Sequence, residues 1–434
     1  MKNIFNKLLI LFLVVGMASC SLDEVANPNG PTQESYATDA TSAQLQLLAT
    51  GVEADMRNDM EFYYQTVSIV GREYYDLNGT DPRYTGELLG AGDGDGVLDN
   101  NGFLTTRSFG ARYKSVRNAQ NLINAVSNSA AGLDDAGKNG FYAFANTVKA
   151  YQLLLTLNRQ FNNGVRLDIE NPDNLGPFVS YSEGLTGIIA ILETAKTQAA
   201  AAGSDFQFGL SSGFTGYDTP STFTLFINAL MARVQLYAGN NSGAISALEG
   251  SFIDAAGDMN AGPAHIFSGS GNDQLNPIFY PETQKYMAHP TFVTDAESGD
   301  NRLSKVTTVD EAMIDGLSGD QLVSVYASND APVSIIRNEE LVLIAAEANI
   351  GSDNGMAASM INAVRTANAL DSYTGGMDDA SLTNEVLTQR RYSLFGEGHR
   401  WIDMRRAGRL GDLPIDRAGD EVFTQFPRPV LEPQ

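Results

Sequence analysis

Apolar residues return every three or four positions over several stretches of the chain, which is the spacing of one buried helix face. Val116, Ala119, Ile123 and Val126 line one such face, and Phe141, Phe144, Val148, Tyr151 and Leu155 a second. Leu185, Ile188, Leu192 and Ala195 line a third. Phe223, Ile227, Leu230, Val234 and Tyr237 line a fourth, with Ser221 or Thr222 after Pro220 as its expected cap. A helical pair is expected over 337–350 and 355–370 across Gly351-Ser352-Asp353-Asn354-Gly355, and another helix over 382–395. Strand-like alternation does not recur, so the pattern predicts a mainly α chain.

Two long segments rich in Gly, Asp, Asn, Ser and Pro interrupt the helices, at 71–110 and 250–335. Irregular stretches of that length are usually functional or disordered. Disordered segments are poor in aromatics, yet these hold Tyr74, Tyr75 and Tyr84, and Phe279, Tyr280, Tyr286 and Phe292. They are therefore read as ordered loops packed on the helices. Ala-rich helices paired across short polar turns resemble a tetratricopeptide-type scaffold, although the copies here are unevenly spaced.

The N-terminus reads as an address. Lys2 and Lys7 precede the unbroken apolar run Leu8–Val15, shorter than the ~20 residues of a spanning helix. Residues 1–19 fit a secretory signal, and Cys20, the one Cys of the chain, follows small residues. Gly16-Met17-Ala18-Ser19-Cys20 resembles a bacterial lipobox, with Met17 where Leu is usual. Acylation at Cys20 would hold the chain on a membrane, since each buried CH₂ contributes ~0.8 kcal/mol. Residues 20–36 then form a flexible tether ahead of a single domain over 37–434.

The 434 residues carry a net charge of −24, with three His and one Cys. An internal disulfide and a Cys-based zinc site are excluded. The acidity argues against nucleic acid as a partner, because phosphate binding needs clustered Lys and Arg. Asp93-Gly94-Asp95-Gly96-Val97-Leu98-Asp99 spaces carboxylates like part of a calcium loop but lacks the twelfth-position Glu, so it is read as an acidic turn and no metal is expected. H-E-x-x-H, Walker and G-x-S-x-G motifs are missing, no cofactor is implied, and no carboxylate pair is singled out for glycoside hydrolysis.

Residues 389–410 read QRRYSLFGEGHRWIDMRRAGRL, with Glu397, Arg400, Asp403 and Arg406 at i, i+3 spacing. On a helix each acid would sit beside a base. The segment is read as a partly buried ion-pair network anchored by Phe395, Trp401 and Met404; the competing reading is an anion site at Arg400, Arg405 and Arg406. It resembles the signature of the SusD/RagB family of outer-membrane nutrient-binding lipoproteins: Arg390, Arg391, Leu394, Glu397, Gly398, Arg400, Trp401, Asp403, Arg406 and Gly408 match. Gln389 and Ser393 stand where the family usually has Glu. Residues 345–370, with Glu347, Asn349, Asn362, Val364 and Arg365, resemble the family's helix pair. Residues 71–89 resemble the loop after its first helix, and Pro427-Arg428-Pro429 with Glu432 its C-terminal tail.

The resemblance implies a SusD-like fold, with tetratricopeptide-type helical pairs and a large loop-rich half. It implies a non-catalytic surface lipoprotein of the outer membrane that captures oligosaccharide, or in some members peptide, and serves as lid to a SusC-like TonB-dependent transporter. Asp23 and Glu24 resemble the acidic export tag of such lipoproteins. Ligand contacts are then expected by region at Tyr74, Tyr75, Asp76, Asn78, Arg83, Tyr84, Tyr280 and Tyr286. Aromatic rings pack on sugar C–H faces, and amides and charges bind hydroxyls. Arg391, Glu397, Arg400, Trp401, Asp403 and Arg406 are expected to be structural. Two readings of other classes stand beside this one: a polysaccharide-degrading enzyme, and a helical adaptor that binds only protein.

Overall fold

The three-to-four spacing builds helices where it was read, and usually longer ones. The computed structural model describes residues 38–91 and 97–432. The leader, Cys20, the tether and residues 92–96 of the acidic turn lie outside the described residues. The chain runs α1 (Ser42–Asp55), α2 (Met60–Val70), β1 (Tyr74–Asp76), α3 (Phe103–Ser127) and α4 (Asp135–Gln160). Then come β2 (Val165–Arg166), β3 (Phe178–Val179), α5 (Tyr181–Ala200), α6 (Pro220–Tyr237), α7 (Asn241–Glu249), β4 (Ala264–His265), β5 (Tyr286–Ala288) and α8 (Thr291–Thr294). β6 (Val306–Ile314), β7 (Leu317–Val323), β8 (Val333–Ser334), α9 (Asn338–Asn349), α10 (Asn354–Ala367), α11 (Asp379–Ser393) and α12 (Arg400–Arg406) complete it.

The expected cap of α6, Ser221 or Thr222, moves to Thr219, two or three residues earlier. Thr219, before Pro220, accepts from the Thr222 amide, and Thr222 answers at the Thr219 amide. Proline fits the first helical position because its missing N–H would be unpaired there anyway. Successive helices stack: α3 on α4, α4 on α5, α5 on α6, α6 on α7, then α7 on α9 and α9 on α10. This is the mainly α, paired-helix architecture expected.

The irregular segments hold more order than expected. The first ends at 102, where α3 begins. The second contains a strand hairpin, β6–β7, turned at Asp315 and Gly316, both with positive φ as a tight two-residue turn demands. The hairpin belongs to an antiparallel sheet ordered β1-β5-β7-β6, so both loop-rich segments contribute to one sheet. One apolar core joins the halves, running from Val116 and Phe144 through Leu230 to Tyr74, Met287 and Trp401.

A buried ion pair clamps two helices inside that core. Arg233 on α6 donates to both carboxylate oxygens of Glu340 on α9, each at 2.6 Å, and to the Ile335 carbonyl at 3.0 Å. Removing one partner of such a pair strands a charge in low dielectric. Glu340→Ala should therefore lower unfolding free energy by about 3 kcal/mol or more. Urea titration of both proteins measures this, and a loss below about 1 kcal/mol would refute it.

Candidate functional site

The signature segment folds as helix, turn and short helix, not as one helix. α11 stops at Ser393, and the chain turns through Gly396 and Gly398, both in the left-handed region, before α12 starts at Arg400. The expected i, i+3 ladder of charges is therefore broken at Glu397. Its carboxylate accepts instead from Arg337, at 2.9 and 3.1 Å, with Lys305 3.5 Å away. Asp403 takes Arg390 at 2.6 Å and Arg406 at 3.0 Å, and Arg406 reaches on to Glu347 at 2.6 Å. Arg391 donates to Asp295 and Thr291. Trp401 is fully buried and donates Nε1–H to the Phe423 carbonyl at 2.7 Å. Ser393, where an acid was expected, accepts from Arg302 at 2.9 Å and donates to Glu339 at 2.7 Å, so a hydroxyl relays what a carboxylate would pair. Arg405 satisfies itself on the Thr424 and Asn158 carbonyls. The network reading therefore describes Arg390, Arg391, Arg406 and Arg409, which pairs with Asp412, but not Arg405, held by carbonyls, nor Arg400, which finds only the Leu387 carbonyl, at 3.4 Å.

The aromatic candidates lie inside. Tyr74 is 1 % exposed and Tyr280 6 %. Tyr280 stacks on Tyr286 with ring centroids 3.9 Å apart, and Tyr74 meets both edge-on at 5.9 and 6.0 Å. Tyr75 packs on His289 and donates to Asp416. Tyr84 is buried against Gln65, and Asp76 accepts from the Asn78 amide. The expectation that these rings offer open faces is corrected in this respect: pairing β1 with β5 turns the tyrosines onto one another. Asn78 is half-buried and Arg83 exposed, and these two reach the surface.

Arg83 leads to a cleft. Its guanidinium lies 4.2 Å over the Phe103 ring, held by Asp81 at 2.6 Å. Phe103 meets Phe62 edge-on at 5.5 Å, and Arg107 lies 4.4 Å over Phe62. Arg107 in turn donates to Asp59 at 2.6 Å. Beside it opens a cleft of about 630 Å³ between the start of α2, the first half of α3 and residues 274–277. Asn58, Asp59, Glu61, Arg107, Lys114 and Gln274 supply its polar groups, and Leu275, 46 % exposed, its apolar wall. Burial raises the Glu61 carboxyl above its usual range. None of these residues was singled out from the sequence: no helix was expected over 60–70, and Arg107, Gln274 and Leu275 fall in the two segments read as irregular. A second cavity of about 630 Å³, lined by Asn301, Lys305, Tyr326, Asn368 and Glu397, backs onto the signature turn.

Among the described residues no three His, Asp or Glu side chains are grouped to hold a metal, and no helix is long and apolar enough to cross a membrane.

The sequence profile of the SusD family matches residues 275–428. A SusD superfamily protein of Bacteroides vulgatus has a similar fold, with a TM-score of 0.66 at 14 % identity over 87 % of this chain and 90 % of its own. A laminarin-binding SusD-like protein aligns with a TM-score of 0.63 at 18 % identity, over 87 % of this chain and 93 % of its own. NanU of B. fragilis aligns with a TM-score of 0.63 at 15 % identity, over 89 % and 94 %. No curated protein matches the sequence.

The buried charges fix how stability depends on pH. Burial raises Asp403, Glu339 and Glu340, but their arginines outweigh it and hold each at about 2. Burial lowers His265 to about 3 and His399 to about 4. All five have folded pKa values below the unfolded ones, so the unfolded chain binds more protons and stability is lost as pH falls. Glu73 runs the other way: burial raises it to about 7, so its contribution is lost as pH rises from about 4.5 to 7. The opposing terms leave a shallow loss from about pH 7 to 4.5 and a steep one below, where the carboxylates take protons. Glu73→Gln removes the opposing term and should steepen the upper limb. Urea midpoints across that range check this, and an unchanged upper limb in the variant would refute it.

Proposed function

We propose that the chain is a SusD-like, non-catalytic binding protein that captures oligosaccharide at the cleft of Asp59, Glu61, Arg107, Gln274 and Leu275, a reading supported by the family profile over residues 275–428 and by the shared fold. The cleft carries the reading. Its size falls within the ~300–1,000 Å³ of ligand sites, and its polar groups are already held in place by Asp59–Arg107 and by the rings beneath. Sugar hydroxyls need alternating donors and acceptors, which Asn58, Glu61, Lys114 and Gln274 offer together. Arg83, over Phe103, continues this face into the loop expected to meet ligand. The laminarin-binding neighbour supports a glycan over a peptide. The wider role follows the family: acylation at Cys20, an outer-membrane location facing the exterior, and delivery to a SusC-like TonB-dependent transporter.

Calorimetry on the chain lacking residues 1–20, against soluble polysaccharides and peptide mixtures, tests the ligand. Arg107→Ala should weaken glycan binding about tenfold, the loss of one to two hydrogen bonds to a charged group. Its side chain is half exposed, so the fold should be unaffected. Binding of peptides alone, or a glycan affinity unchanged by this substitution, would overturn the reading. Separately, Cys20→Ala should release the full-length protein from the membrane fraction, and persistence there would refute the anchor.

A further inference from the structure

A smaller pocket lies apart from the cleft and shares none of its lining residues. It measures about 220 Å³ and sits among the end of α2, α8, the α11–α12 junction and residues 412–414. At about 30 Å³ per water it holds the volume of roughly seven waters, room for a compact molecule rather than a chain. Phe292, Phe395, Leu413 and Pro414 form apolar walls. Arg72, Arg391 and Arg400 line it, with the carboxyls of Glu73, Asp295 and Asp412; Arg72 is taken up by backbone carbonyls, among them those of Pro414 and Glu421. Arg400 has no carboxylate within ion-pair distance among the described residues, and its one hydrogen bond is the long one to Leu387. Arg391 pairs only with Asp295, whose side chain is 52 % exposed.

We propose that this pocket binds a small organic carboxylate, held by Arg400 and Arg391. Arg400 is half-buried; a partly desolvated cation without an acid beside it gains from one, and a planar carboxylate matches the guanidinium fork. Burial, with Arg391 adding its like charge, outweighs the pull of Asp403 and Glu73 and lowers Arg400 to about 10. Glu73 closes one side. Its Oε1 accepts from the Gly396 amide at 3.1 Å, while its buried Oε2 completes no hydrogen bond. Near pH 7 burial keeps part of this carboxyl protonated, against Ser68, the Gly396 amide, Arg400 and Lys305, which favour the ion. The proton gives the bound acid a donor, and its loss gives a like charge.

The carboxylate is either that of a free acid or the uronate unit of a captured glycan. The probes are D-glucuronate, a uronate-containing oligosaccharide and neutral D-glucose, read by calorimetry and by the emission of Trp401, the one Trp, adjacent to Arg400. Saturable glucuronate binding at about 0.1–1 mM, absent for glucose, is expected; binding of the oligosaccharide alone would place the acid on a glycan. Arg400→Gln should weaken either by tenfold or more, and Arg391→Gln, nearer the surface, severalfold. Affinity should rise from about pH 8 to pH 6, and Glu73→Gln should flatten that slope. Unfolding midpoints identify a variant that fails to fold, in which case Arg391→Gln decides. No binding of either acid, glucose binding as well as glucuronate, or binding indifferent to the arginines overturns the proposal.

Discussion

Buried arginine is the constraint on which the architecture turns. A guanidinium cannot shed its charge, so every arginine taken inside must find an acid or a set of carbonyls. Arg390 and Arg406 share Asp403, Arg406 continues to Glu347 on α9, and Arg337 collects Glu397 and Glu339. Arg406–Glu347 and Arg337–Glu397 each join elements distant in sequence. Such pairs yield little net stability against an apolar replacement, but a misplaced element strands a charge. Their effect is to admit one arrangement of the last two helices against the helical stack.

That arrangement propagates to the binding face. The glycine turn at 396–398 exists because Glu397 must leave the helix line to reach Arg337. It delivers Trp401 to the end of α2, where a side chain at Gly71 would meet the Trp401 backbone nitrogen at 3.0 Å. Trp401 and Arg159 then enclose Phe426, with the Phe426 amide bonded to the Arg159 carbonyl. The C-terminal segment is thereby stitched to α4 and α12 to α2, whose opposite end lines the cleft. The signature thus sets the position of α2, one end of which lines the cleft.

The sequence disclosed the helices and the resemblance to the SusD family because both rest on patterns of fixed period or fixed spacing. The sheet was hidden for a physical reason. β6 carries a register shift between Thr308 and Ala312, which destroys alternation, and β1 and β5 are three residues long and buried on both faces. Only Asp315-Gly316 gave a local sign of the hairpin. The tyrosines misled because aromatic-and-polar interleaving in an irregular segment describes a ligand face and a small buried sheet equally well. Tyr280 and Tyr286 are separated from Tyr74 by some two hundred residues, and nothing local announces that they stack. Asp59, Glu61 and Arg107 went unread because α2 and the first half of α3 carried no recognised helical period, so nothing brought the two helix starts together.

The distribution of charge also bears on what the surface can recognise. Arg112, Arg159, Arg233, Arg302, Arg337, Arg390 and Arg405 are all buried, so much of the chain's positive charge is spent within the fold. The exterior is left more acidic than the net −24 alone conveys. Long-range attraction of an anionic ligand is therefore absent, and recognition must come from contact. A cleft of mixed amide, acid and base groups suits an uncharged polyol under that condition, since hydrogen bonds act only at close range. An acid can be held only where a guanidinium is desolvated and short of a partner, because there the local interaction is least screened and outweighs the distant repulsion. Arg400, alone among the bases of the signature, meets that requirement.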